Sequence, residues 1–138
     1  MKIRHTKALL CYLGLIAALA LSTAQGAQAQ TASQVDVLTV KGAITPIVAA
    51  YVDRGIATAE DDGSACLIIE LDTPGGSVQV TEGIVQSMKA ATVPIVVYVQ
   101  PTGAKAASAG TFVTLAAHLA AMAPGTRIGA AHPVDMSG

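Results

Sequence analysis

Two short stretches combine residue types and spacing that could do chemistry. The first is Gly103-Ala104-Lys105-Ala106-Ala107-Ser108-Ala109-Gly110-Thr111, where a lone serine, Ser108, stands among small residues just after an apolar run. A serine in this setting can present its hydroxyl at a helix N-terminus beside the N–H of Ala109, with room for a substrate backbone to approach. It can equally serve as an N-cap, its oxygen accepting from first-turn N–H groups. The second stretch is Asp72-Thr73-Pro74-Gly75-Gly76-Ser77-Val78. Paired glycines between a strand and a helix leave backbone N–H groups unobstructed, and such groups bind anions or the oxyanion of an acyl-transfer intermediate. A tight turn that needs positive φ uses the same residues. Each stretch alone is ambiguous. One β-α unit apart, they together supply a nucleophile and oxyanion donors, the pairing that acyl transfer requires. No Lys-Ser/Thr follows the glycines at P-loop spacing, so they are not a phosphate loop.

The elements that must position these loops are legible in the apolar pattern. Val35 to Val40 alternates as a strand does. Thr45-Pro46 reads as a cap followed by proline at the first helical position. Ile47, Val48, Tyr51, Val52, Ile56 and Ala59 then form one helical face, closed by Asp61-Asp62-Gly63. Ala65 to Leu71 is a near-continuous apolar run, as expected of a strand buried on both faces. Val80, Ile84, Val85 and Met88 mark a second helix, which Val93-Pro94 ends; Ile95 to Val99 is another buried strand. Pro101 to Ala107 reads as loop, Ser108 opens a third helix through Ala117, and a short strand near Leu119 to Ala123 precedes a turn at Pro124-Gly125. The order β-α-β-α-β-α-β defines an α/β fold of mostly parallel strands with right-handed crossovers. Both glycine-bearing loops leave the carboxyl ends of strands, where ligands gather in such sheets.

Composition narrows the function classes. Met1 to Ala29 reads as a secretory signal: Lys2, Arg4 and Lys7 precede the uncharged run Ala8 to Leu21, and Ala27-Gln28-Ala29 is a small-x-small cleavage site. The remainder, residues 30–138, is expected to be one α/β domain exported across a membrane. All nine acids lie after residue 29, together with five of the eight Lys/Arg, so this part carries a formal charge of −4. That charge, with no Trp and one Phe, argues against a nucleic-acid surface. Cys11 lies in the signal, and Cys66, in an apolar strand pattern, reads as core. His5, His118 and His132 are too scattered for a metal site.

Three blocks in order resemble the NfeD proteins, membrane-bound serine proteases of the ClpP class with stomatin-type proteins as common genetic neighbours. They are Leu71 to Val78, Gly103 to Thr111, and Ala121-Met122-Ala123-Pro124-Gly125-Thr126-Arg127-Ile128-Gly129-Ala130-Ala131-His132-Pro133-Val134. The resemblance covers Val35 to Val134. It implies a ClpP/crotonase-like spiral of β-β-α units, with Ser108 as nucleophile and the N–H groups of Gly76 and Ala109 as oxyanion hole. Gly75, Ser77 and Val78 would line the substrate. It also implies an extended, apolar polypeptide substrate such as the tail of a stomatin-like membrane protein, bound by strand addition. No cofactor is implied, and homo-oligomers are usual in this class.

A serine hydroxyl needs a base. The resemblance implies a lysine about forty residues beyond Ser108, where desolvation lowers its pKa, giving a Ser-Lys dyad. The sequence ends at Gly138, before that point, so the domain is expected to be incomplete and this piece inactive by itself. Among the residues present, Lys105 reads as an exposed loop lysine and His118 as packing or surface. His132 is the alternative base, although aligning Thr126-Arg127-Ile128 with the corresponding ClpP turn puts the ClpP histidine at Ala131, one position away, which in a strand reverses the side chain's direction. A non-catalytic peptide-binding or oligomerisation module of the same fold is the alternative function. Acyl-CoA chemistry on this fold is disfavoured because an exported chain does not meet that cofactor.

Overall fold

The computed structural model describes residues 33–132. The expected signal segment, Met1 to Ala29, and the end of the third motif, Pro133 and Val134, lie outside the described residues. Six strands and three helices follow in chain order: β1 (Val35–Lys41), α1 (Pro46–Asp61), β2 (Cys66–Asp72), α2 (Val78–Ala90), β3 (Ile95–Val99), β4 (Lys105–Ala107), α3 (Ala109–Ala116), β5 (Leu119–Met122) and β6 (Arg127–Gly129). Strands β1, β2, β3 and β5 form a four-stranded sheet in that order, and every pair is parallel. Helical crossovers make this possible, since parallel neighbours need a long connection.

Local chemistry sets the helix starts. Thr45 adopts extended backbone and its Oγ1 accepts the Val48 N–H at 3.4 Å, with Pro46 inside the first turn, as the sequence predicts. Ser77 does the same for α2, accepting the Val80 N–H at 3.5 Å.

Burial is one-sided, unlike the expectation for β2 and β3. Leu67, Ile69 and Leu71 are wholly buried while Cys66, Ile68 and Glu70 between them are half-buried. In β3, Ile95, Val97 and Val99 alternate with half-buried Val96 and Tyr98 in the same way. The registers align the two buried sets, Leu67 with Ile95, Ile69 with Val97 and Leu71 with Val99, on one face. The three helices cover that face through Val52, Ile56, Ala59, Ile84, Met88 and Val113. The other face remains partly open, with Val37 at 52% and Leu119 at 60% exposure. A continuous apolar run therefore reports hydrophobic side chains on both faces but not helices on both. In α1 the apolar stripe is narrower than expected: Ile47, at the first turn, is 80% exposed and Tyr51 also reaches solvent.

Two short strands go beyond the sequence expectation. Lys105–Ala107, read as loop, is β4, and it pairs in parallel with β6 as a separate two-stranded sheet. Chain order β3-β4-α3 is thus a β-β-α step, in which the second strand leaves the main sheet before the helix begins.

Candidate active site

Three hydrogen bonds weld the two predicted loops together. The Thr73 N–H donates to the Lys105 carbonyl at 2.7 Å, and the Ala107 N–H donates to the Thr73 carbonyl at 3.0 Å, an isolated parallel bridge between Thr73 and Ala106. The Asp72 carboxylate accepts the Lys105 N–H at 3.2 Å. From the far side, the Ser108 N–H donates to the Gly129 carbonyl at 2.8 Å, which ties the start of α3 to β6.

Gly75 and Ser108 consequently meet. A Cβ placed on Gly75 would lie 2.8 Å from the Ser108 Cβ and 3.2 Å from its Oγ, so only glycine fits, and its φ of 115° is itself a glycine conformation. Gly76 is equally constrained, because a Cβ there would overlap the Ile44 backbone. Gly110 lets α3 approach: its missing Cβ would lie 2.5 Å from Thr73 Cγ2 and 3.4 Å from Ala106 Cβ. Small residues two before and two after Ser108 thus permit a tight strand-to-helix turn.

Ser108 differs from an ordinary capping serine, and Ser77 supplies the comparison within the same chain. Ser77 sits at φ −64°, ψ 129° and spends its hydroxyl as a cap. Ser108 precedes α3 at φ 51°, ψ −113°, and its hydroxyl makes no cap bond. A side-chain-bearing residue in such a sparsely populated conformation costs on the order of 1–3 kcal/mol, held here by the surrounding pairing. A strained serine at a strand-to-helix turn is the geometry of a nucleophile elbow, in which the hydroxyl is thrust toward substrate.

Two backbone donors flank it. In a trans peptide the N–H points opposite to the preceding carbonyl. The Gly75 carbonyl accepts the Ile44 N–H at 2.9 Å, so the Gly76 N–H is directed away from Ile44. The Ser108 carbonyl accepts the Thr111 N–H at 2.9 Å inside the first turn, so the Ala109 N–H is directed out of the helix end. Among the described residues neither N–H has a protein acceptor. Gly76, Ser108 and Ala109 all line one cleft of about 360 Å³. Its walls are a face of α2 (Val78, Thr81, Val85) and a face of α3 (Phe112, Leu115, Ala116), with Glu82 and Lys89 at its rim. Val78 and Leu115 are exposed along this cleft, a mostly apolar trough beginning at the serine. Oriented N–H groups beside a hydroxyl in a cleft with apolar walls can stabilise an oxyanion formed by attack on a carbonyl.

The other candidates are not among the residues that line this cleft. His132 is exposed and makes no hydrogen bond among the described residues. His118 accepts the Ile95 N–H on Nδ1 at 3.1 Å, a structural use. Lys105 is exposed, as expected of its position. Ser77, expected near substrate, has its hydroxyl on Val80 and its N–H on the Ile44 carbonyl at 3.3 Å. Two residues inside the motifs had no assigned role from sequence. Thr73 is fully buried at the junction of the loops. The Thr111 hydroxyl lies 2.8 Å from the Gly129 carbonyl and 3.1 Å from the Ala106 carbonyl, and accepts the Gly129 N–H at 3.1 Å. A threonine after a strand or within a first helical turn is unremarkable in sequence, so only tertiary pairing reveals them.

The fold is that of the ClpP-like proteases. The 1510-N membrane protease specific for a stomatin homolog from Pyrococcus horikoshii superposes with a TM-score of 0.69 at 48% identity, covering 72% of this chain and 50% of that one. A mutant of the 1510-N membrane-bound stomatin-specific protease in complex with a substrate peptide gives 0.73 at 47% identity, over 75% and 48%. ClpP1 from Listeria monocytogenes, at 22% identity and a TM-score of 0.58 over 67% and 53%, shares the fold. The chain belongs to the NfeD family: residues 34–138 match the family described as NfeD1b, N-terminal domain. It is 50% identical over 95 residues to membrane-bound protease PH1510 of Pyrococcus horikoshii, covering 69% of this chain and 22% of that protein. It is 32% identical over 91 residues to membrane protein NfeD1b of Bacillus subtilis, covering 66% and 20%. The chain spans about a fifth of the length of these curated relatives and about half of the solved protease chains. Among the described residues no helix is long and apolar enough to cross a membrane.

Proposed function

We propose that this chain forms the nucleophile-bearing part of a membrane-associated serine endopeptidase. The observation that carries the proposal is Ser108 itself: a serine at φ 51°, ψ −113°, free of any capping role, in a cleft shared with the N–H groups of Gly76 and Ala109. Ser108 Oγ attacks the scissile carbonyl, and its proton passes to a general base. The carbonyl oxygen, now an oxyanion, is held by the Gly76 and Ala109 N–H groups. Collapse expels the amine and leaves an acyl-Ser108 ester, which water hydrolyses. The base is a lysine, about forty residues beyond Ser108 as the family resemblance implies, in a Ser-Lys dyad.

The cleft suits an extended, apolar polypeptide, its side chains seated between Val78, Val85, Phe112 and Leu115. Val78 contributes the substrate-side edge, while Gly75, packed against Ser108, and Ser77, bonded within the chain, shape the loop that carries it. The relatives named as proteases specific for stomatin or a stomatin homolog support a stomatin-like substrate, and its apolar tail is the segment we propose enters the cleft. Residues 1–29 act as an export signal, which puts the domain on the extracytoplasmic face, and copies of the chain associate as homo-oligomers.

The test is cleavage of an internally quenched peptide copied from an apolar stomatin-like tail by the full-length protein. Ser108→Ala is expected to abolish turnover and fluorophosphonate labelling while leaving thermal unfolding cooperative. Equal turnover by wild type and Ser108→Ala would refute the proposal. Peptide binding without turnover or labelling in the wild type would favour a non-catalytic module of the same fold.

A further inference from the structure

Every polar atom of Thr73 is committed. Its backbone N–H and carbonyl bind Lys105 and Ala107 on the serine-bearing loop. Its hydroxyl accepts the Gly75 N–H at 3.0 Å and lies 3.3 Å from the Gly75 carbonyl. Its methyl occupies the space left by Gly110. The side chain is fully buried, and Gly75 is buried beside it.

This arrangement has a directional consequence. The Gly75 N–H is held by Thr73 Oγ1 and the Gly75 carbonyl by the Ile44 N–H at 2.9 Å, so both peptide planes at Gly75 are pinned. The second of those planes carries the Gly76 N–H, directed away from Ile44 on a residue that lines the cleft. Glycine resists rotation less than any other residue, so without such anchors this plane would turn freely. The same residue is bonded through its backbone to the strand that delivers Ser108. Thr73 therefore relates the donor to the nucleophile rather than merely filling space.

We infer that Thr73 is a positioning residue for the oxyanion-binding N–H of Gly76, an inference that rests on the serine endopeptidase proposal. Replacing the hydroxyl by a methyl in Thr73→Val keeps the shape and leaves the buried Gly75 N–H without its acceptor, which frees the loop to turn. Misalignment of a donor acts on the transition state more than on bound substrate, so kcat falls and KM does not.

The experiment compares full-length wild type, Thr73→Val, Thr73→Ser and Ser108→Ala on the quenched stomatin-tail peptide, with active sites counted by fluorophosphonate titration and unfolding followed in parallel. Thr73→Val is expected to lose about 10- to 100-fold in kcat per titrated site with KM within about twofold. Thr73→Ser, which keeps the hydroxyl, recovers to within about threefold of wild type. A purely structural role would instead lower the unfolding temperature and the number of titratable sites while kcat per site stays at the wild-type value, and that result overturns the inference. So does a Thr73→Ser variant as slow per site as Thr73→Val. If Thr73→Val does not fold, Thr73→Ala replaces it under the same criteria. Wild-type turnover by Ser108→Ala overturns the peptidase proposal and this inference together. An inert Ser108→Ala beside a fully active Thr73→Val overturns the role of Thr73 alone.

Discussion

The convergence of the two loops makes a quantitative claim about Gly75. Substituting alanine there incurs two separable costs. The first is backbone strain at φ 115°, about 1–3 kcal/mol for a residue with a Cβ. The second is overlap, since the new Cβ would lie 2.8 Å from the Ser108 Cβ and 3.2 Å from the Ala107 carbonyl oxygen, and overpacking a tight site costs about 1–3 kcal/mol. Gly42 isolates the first cost: its φ is 102° and a Cβ there would meet nothing within 4 Å. Gly75→Ala should therefore lose about 2–6 kcal/mol and Gly42→Ala about 1–3 kcal/mol. The assay is urea unfolding, reading the shift in Cm at unchanged m. A second reading is the rate of fluorophosphonate labelling of Ser108, which the displaced serine in Gly75→Ala should lower at least about tenfold, while Gly42→Ala labels at the wild-type rate. Equal destabilisation by the two substitutions, with labelling unaffected in both, would show that Gly75 and Ser108 are not neighbours. The shared site would then fail with them.

Two further predictions follow from named features. Ser108→Gly relieves the strained conformation that Ser108→Ala retains, so it should be the more stable of the two variants by about 1 kcal/mol after the entropy cost of glycine, measured by urea unfolding; a less stable glycine variant would contradict the strain. The Glu60 carboxylate accepts the Thr92 N–H at 2.6 Å and the Thr92 hydroxyl at 2.9 Å, and the backbone bond first, then the hydroxyl, holds its pKa below the ordinary value. The folded state thus binds this proton more weakly than the unfolded chain, so the bond adds stability above the ordinary carboxylate range and loses it as pH falls through the lowered pKa. Glu60→Gln should flatten that acid limb in a plot of Cm against pH, and an unchanged limb would show that Glu60 contributes nothing to it.

Much of the scaffold was legible because its signals are local. Thr45-Pro46 begins α1 where capping chemistry requires, Asp61 closes it, and the strands Ile95–Val99 and Leu119–Met122 occupy their apolar runs. A helix or strand start depends on a few adjacent residues, and those can be read in order. The candidate site was legible at the level of residue type: small residues around Ser108 and paired glycines after Asp72 are needed for close approach wherever the loops go.

What tertiary structure decided is everything that depends on a distant partner. Strands β4 and β6, three residues each, exist only because Lys105–Ala107 finds Arg127–Gly129, and neither has a pattern long enough to announce itself. One face of β2 is left half-open because the helices pack on the other, although both faces are apolar in sequence. Ser77 and Ser108 look alike as serines before a helix. The first relaxes into a cap, while the second is held at positive φ by the bond from its N–H to Gly129 and by β4 pairing with Thr73. Residue types thus set which groups could act as nucleophile and oxyanion donor. The positions and directions of those groups arise from hydrogen bonds spanning tens of residues, whose geometry no local spacing encodes.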